Sequence, residues 1–138
     1  MKVVGFNFSK ISIERMKDSL NSKEELKANT SIDVSEIKEV KSHILKTKEQ
    51  VLDAKFTYGI KYDPGFAEIN IGGNIIVTIE PKLAKEVLKQ WKNKKMPEDF
   101  KVFLFNTILK KSTLKALYLE EELNLPLHMP LPSFKKKG

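Results

Sequence analysis

The sequence contains no cysteine, which excludes disulfides, thiolate metal sites and cysteine nucleophiles together. Arginine is nearly absent as well: Arg15 is the single one among 25 basic residues, and the others are lysines. Arginine is the side chain that grips phosphate and guanine edges bidentately. A net charge of +7 carried on lysine therefore reads first as a solvated surface and second as a site for an acidic partner. No window approaches the roughly 18 consecutive apolar residues of a membrane helix. The opening MKVVGFNFSK has too short an apolar run for a signal peptide, so the expectation is a cytoplasmic protein.

Recognisable catalytic patterns are missing too. Gly72-Gly73 lacks the GxGxxG spacing of a phosphate loop and reads instead as a bulge or a close backbone approach in mid-strand. No serine is flanked by nucleophile-elbow glycines. His43 and His128 are the only histidines; they are far apart in sequence and are expected to be surface or structural. The acids lie scattered among lysines, and the two at strand positions, Glu68 and Glu80, are expected to face solvent. These absences lead us to expect no enzyme, no metal site and no cofactor.

What is present is an ordinary globular composition, 41% hydrophobic and 31% charged over 138 residues, long enough for one domain with a core. The organising stretch is Ala54 to Ile79. Its first arm alternates, with Leu52, Ala54, Phe56, Tyr58, Ile60 and Tyr62 on one face, the period of a half-buried strand. Asp63-Pro64-Gly65 is turn chemistry. The second arm alternates again through Ala67, Ile69, Ile71, Gly73, Ile75, Val77 and Ile79, which predicts a long antiparallel hairpin.

Ahead of it, Val4, Phe6 and Phe8 share one phase while Ile11 and Ile13 share the other. A one-residue shift at Ser9-Lys10 is the mark of a β-bulge, and bulges favour edges; two short strands are the alternative. Residues 14–30 are charged and read as a crossover, with a possible helical turn where Ser22 and Glu25 would form a capping box. Residues 31–45 alternate at Ile32, Val34, Val40 and Ile44. A helical spacing through Val34, Ile37 and Ile44 competes, and the strand reading is preferred. Thr47-Lys48 would turn the chain into the hairpin.

Pro81 stands at a first helical position, followed by Leu83, Ala84, Val87, Leu88 and Trp91 at helical spacing, with lysines 92–95 at the helix end. Pro97-Glu98-Asp99 opens a second helix reaching about Asn124. Its apolar residues wrap most of the way round, which predicts burial on more than one side, the second side against another subunit. Residues 125–134, LPLHMPLPSF, are too proline-rich for helix or central strand. The expected elements are strands at about 3–13, 31–45, 50–62 and 66–79, helices at about 81–93 and 97–124, and an extended tail 125–138. This is a single α+β domain: a four-stranded antiparallel meander with both helices on one face.

Apolar residues exceed what the elements obviously consume. Phe6, Phe8, Ile11 and Ile13 in the first strand, Phe56 and Tyr58 in the hairpin, and Leu127, Met129 and Leu131 in the tail either fill the core or line a groove for an extended apolar peptide. A basic nucleic-acid-binding module and a binder of hydrophobic small ligands are the alternatives.

Order and local features together resemble the SecB family of export chaperones. The points of likeness are the crossover after the first strand, the Gly72-Gly73 pair in EINIGGNIIVTIE, the long helix from Asp99 to about Asn124, and LNLPLHMPLPSF after it. The resemblance implies an ATP-independent holdase that binds unfolded or export-competent polypeptides and serves protein transport. It also implies a dimer of dimers in which first strands pair and long helices pack between sheets. The chain departs from the family in its positive charge, its crossover without aromatics or proline, and the KKKG that follows Phe134 where the family carries a further helix. A generic holdase, or a chaperone dedicated to one labile partner, is the expectation.

Overall fold

The computed structural model describes residues 1–16, 25–41 and 48–136. Its elements are β1 (Lys2–Arg15), β2 (Lys27–Val40), β3 (Gln50–Asp63), β4 (Ala67–Ile79), α1 (Pro81–Trp91) and α2 (Glu98–Glu122). The expected capping at Ser22, the turn at Thr47, and His43 and Ile44 fall outside the described residues.

β3 and β4 form the hairpin, paired without interruption from Gln50 opposite Ile79 to Tyr62 opposite Ala67. Side chains alternate across a strand, so Leu52, Ala54, Phe56, Tyr58, Ile60 and Tyr62 share a face with Ala67, Ile69, Ile71, Ile75, Val77 and Ile79. All of these are at most 2% exposed. Gly65 turns the chain between them at φ +53, a conformation glycine adopts without penalty.

The class is α+β, as expected, and the order of the strands is a correction. β2, β3 and β4 form a meander, but β1 lies beside β4, giving the order β1-β4-β3-β2. That is a Greek key rather than a four-stranded meander. Alternation within a strand identifies its buried face and carries no information about its neighbour. β1 and β2, consecutive in the chain, therefore stand at opposite edges of the sheet.

Register shifts occur only at the edges. β1 slips between Val3 and Gly5 and again between Phe8 and Lys10, the second being the bulge read from the sequence. It keeps Phe6, Phe8, Ile11 and Ile13 on one face despite their mixed phase. β2 slips between Val34 and Glu36. The extra residue, Ser35, brings Ile37 onto the face of Val34, and this explains the helix-like spacing of those two positions. Of the glycine pair, Gly73 is the one sterically required. It stands between Phe8 and Phe56 in the ladders, and a Cβ there would overlap the Asn7 carbonyl oxygen and lie 3.0 Å from the Phe56 ring.

The helices complete the core on this face through Ala84 and Val87 of α1 and Phe100, Leu104, Ile108 and Ala116 of α2. The buried positions of α2 recur every fourth residue: Phe100, Leu104, Ile108, Ser112, Ala116 and Glu120. Each step of four advances about 40° around a 3.6-residue helix, so the contact line winds. Part of the wide apolar spread of this helix is that winding. The remainder is open surface: Val102, Leu109, Leu114 and Tyr118 are 49%, 39%, 62% and 59% exposed. Neither helix is long and apolar enough to cross a membrane.

Candidate functional site

β1 is an edge strand, and its core-side residues are only partly covered. Phe6, Phe8 and Ile13 are half-buried and Ile11 is exposed. The Phe6 ring meets Phe8 edge-on at 5.1 Å and Phe56 at 5.3 Å, so β1 extends the hairpin's aromatic floor outward. Val3 of β1 and Phe103, Asn106, Thr107, Lys110 and Lys111 of α2 line an open cleft of about 370 Å³. The side chains of Phe56 and Tyr58 face the core rather than the cleft beside β1. They are 2% and 1% exposed, because they lie on the central strand beneath α2, and they serve as its floor.

Beyond Leu125, which is buried in the core, the tail is held by polar groups. α2 ends in a Schellman motif: Leu125 N–H donates to the Glu120 carbonyl at 2.8 Å and Asn124 N–H to the Glu121 carbonyl at 3.3 Å, with Asn124 at φ 52. The reversal directs the following residues back over the sheet. The Glu120 side chain, fully buried, accepts from His128 twice, from the backbone N–H at 3.0 Å and from Nδ1 at 2.7 Å. The other ring nitrogen, Nε2, lies 3.3 Å from Tyr58 Oη, within hydrogen-bond reach. Tyr62 Oη donates to the Pro126 carbonyl at 2.8 Å. Burial pushes the Tyr58 phenol above the ordinary tyrosine value; a hydrogen bond with Thr113 opposes the shift, and the Glu120 charge adds to it.

Held this way, the tail buries Leu125 and turns Leu127, Met129 and Leu131 outward at 37%, 42% and 55% exposure, with Phe134 wholly exposed. The structure thus places the nine expected residues in three groups: a half-open strand, a buried floor and an exposed tail. The single arginine is structural. Arg15 Nη1 donates to the Leu123 carbonyl at 3.2 Å and the guanidinium sits 5.1 Å from the Phe66 ring centroid. It ties the end of β1 to the C-terminus of α2, where a cation complements the helix dipole.

The latch itself was not expected. Among the acids, Glu68 and Glu80 stood out from the sequence; Glu68 is half-buried on the outer face and Glu80 lies exposed just before α1. Among the described residues the buried acid is Glu120. Its signal was the every-fourth-residue stripe, which runs through Ser112 and Ala116 directly to it. His128 is structural, as expected, but as the counterpart of a buried carboxylate.

No protein-family model matches the chain, and no curated protein matches it by sequence. Among solved structures it is similar to the Mycobacterium tuberculosis Rv1957 SecB-like chaperone in complex with a ChAD peptide from the Rv1956 HigA1 antitoxin. The match has a TM-score of 0.55 at 8% identity and covers 99% of this chain and 92% of that one. At that identity the likeness is one of fold: a four-stranded antiparallel sheet with two helices, shared with a SecB-like chaperone.

Proposed function

We infer that the protein is an ATP-independent holdase that binds unfolded or export-competent polypeptide through apolar surface its own fold leaves uncovered. The observation that carries this reading is the pairing of a half-open edge strand, Phe6 to Ile13, with a tail whose Leu127, Met129 and Leu131 face solvent although the tail is firmly anchored. An anchored segment that presents its apolar side chains outward is a binding surface more than a core element. Likeness of fold to a chaperone solved with a peptide supports the same reading. No residue is assigned a catalytic role, and the location follows the reading: the cytoplasm, with a part in protein transport.

Self-association belongs to the proposal. The exposed face of α2, Val102, Leu109, Leu114 and Tyr118, suits a second copy of the chain, and a dimer of dimers is the arrangement expected from the SecB resemblance. The test is suppression of aggregation of a chemically unfolded client, without nucleotide, followed by light scattering. Wild type should suppress near one client per tetramer. Replacing Ile11, Met129 and Leu131 by serine should abolish suppression while the circular dichroism stays native. Unchanged suppression in that folded variant would remove this surface from client binding.

A further inference from the structure

A further cleft lies away from β1 and the tail. It has a volume of about 540 Å³ and is lined by Asp33, Val34 and Ser35 of β2, Trp91, Lys94 and Met96 around the α1–α2 turn, and Lys101 and Phe105 of α2. This volume is in the range of ligand sites. Its floor is apolar and its rim is cationic. The Lys94 ammonium sits 4.5 Å from the Trp91 ring centroid, and that of Lys101 sits 5.7 Å from the centroid of Phe105. Neither lysine takes part in an ion pair among the described residues. Lys94 also occupies a position where lysine is costly. Its φ is 57, the left-handed region that glycine or asparagine enters more cheaply, and that backbone carries its side chain over Trp91.

The third wall is a sheet edge. β2 pairs only with β3 among the described elements, and at Ser35 its register is interrupted by the bulge. An extended chain can lie along such an edge, but the bulge limits it to a short segment. Asp33, on this wall, repels a second carboxylate and so gives the cleft a polarity, anionic ligand group toward the lysines.

We propose that this cleft binds a short extended polypeptide segment in which a carboxylate side chain adjoins a bulky apolar one. The carboxylate goes to Lys94 and Lys101, and the apolar side chain goes to the floor of Trp91, Met96 and Phe105. The inference takes from the preceding reading only that the ligand is polypeptide. It adds a preference that the β1 and tail surface, being apolar, does not supply. A free amphipathic acid would satisfy the lysines but would make no use of the β2 edge.

Trp91 is the only tryptophan and reports on the site directly. Capped peptides carrying Leu-Glu-Phe and Leu-Gln-Phe, without tryptophan, are titrated against the full chain while Trp91 emission is followed. The Leu-Glu-Phe peptide should give a saturable change, and Leu-Gln-Phe should bind about tenfold more weakly, the scale of one charge-assisted contact. A Lys94→Gly, Lys101→Gln double variant should remove that difference; both positions are exposed, and the first is one glycine accepts. Equal affinity for the two peptides, an undiminished preference in the double variant, or 3-phenylpropionate binding as tightly as the peptide would overturn the proposal. Failure of the holdase reading has another signature: wild type titrates with Leu-Glu-Phe at Trp91 yet suppresses no aggregation.

Discussion

The two helices end in the same backbone device and lead to opposite kinds of site. Behind α1, Lys95 N–H donates to the Gln90 carbonyl at 3.1 Å and Lys94 N–H to that of Trp91 at 2.8 Å. Behind α2, Leu125 and Asn124 make the corresponding bonds. The left-handed residue is Lys94 in one case and Asn124 in the other. After α2, the reversal buries a carboxylate, an imidazole and a phenol in contact with one another, with a second phenol on the Pro126 carbonyl. After α1, it leaves two ammonium groups stacked on aromatic rings at a cleft mouth, with no carboxylate partner among the described residues. Charge that is buried and satisfied holds structure together; charge that is exposed and unspent is available to a ligand.

The latch offers the largest effect. Replacing His128 with alanine leaves the buried Glu120 carboxylate without its imidazole partner, and should lower the free energy of unfolding by about 3 kcal/mol while exposing residues 125–136 to proteolysis. Denaturant titration and limited digestion read the two effects. A loss below about 0.5 kcal/mol, with the tail still protected, would mean that the latch contributes nothing to stability.

The two left-handed residues should then part company. Asn124→Ala places a Cβ-bearing residue without asparagine's tolerance at φ 52 and should cost about 1 kcal/mol. Lys94→Gly relieves the same kind of penalty and should leave stability unchanged or raise it by up to about 1 kcal/mol. If Lys94→Gly were as destabilising as Asn124→Ala, the stacking of Lys94 on Trp91 would be structural, and the contrast between the two ends would fail.

The smallest effect is alkaline. Tyr58 is held neutral in the fold, with its pKa raised chiefly by burial. Its contribution is complete below the unfolded value of about 10 and is lost as pH rises through the higher folded value. Tyr58→Phe should therefore flatten the loss of stability above that pH, measured by denaturant titration across the alkaline range. An identical alkaline decline in both proteins would assign it to other groups.

Legibility followed regularity. The hairpin could be read because β3 and β4 keep one phase from end to end, and their buried residues are the alternating ones. At the edges the phase breaks. The bulge after Phe8 was visible because large apolar residues stand on both sides of it, whereas the bulge at Ser35 looked like a competing helical spacing. The apolar candidates of the tail could be named, but not the reason they face outward. That reason is a carboxylate on the preceding helix and an imidazole past its end, meeting only because the chain reverses at Asn124. Phe56 and Tyr58 were candidates on their aromatic character, and only the position of their strand beneath α2 makes them floor. The cleft at the α1–α2 turn had no sequence signal, since its walls come from three elements.

By itself the sequence determined the elements whose pattern is local: a hairpin of period two, a proline-started helix, a long helix and a segment too rich in proline to be either. Hydrophobic periodicity acts within one element, and for these residues it has one low-energy solution. Tertiary structure decided which edge β1 occupies, that Glu120 is buried, and that Lys94 and Lys101 stand over aromatic rings at one cleft with β2. Each of those depends on a neighbour remote in the chain, and the free energy of burying or pairing a polar group is defined only once that neighbour is in place.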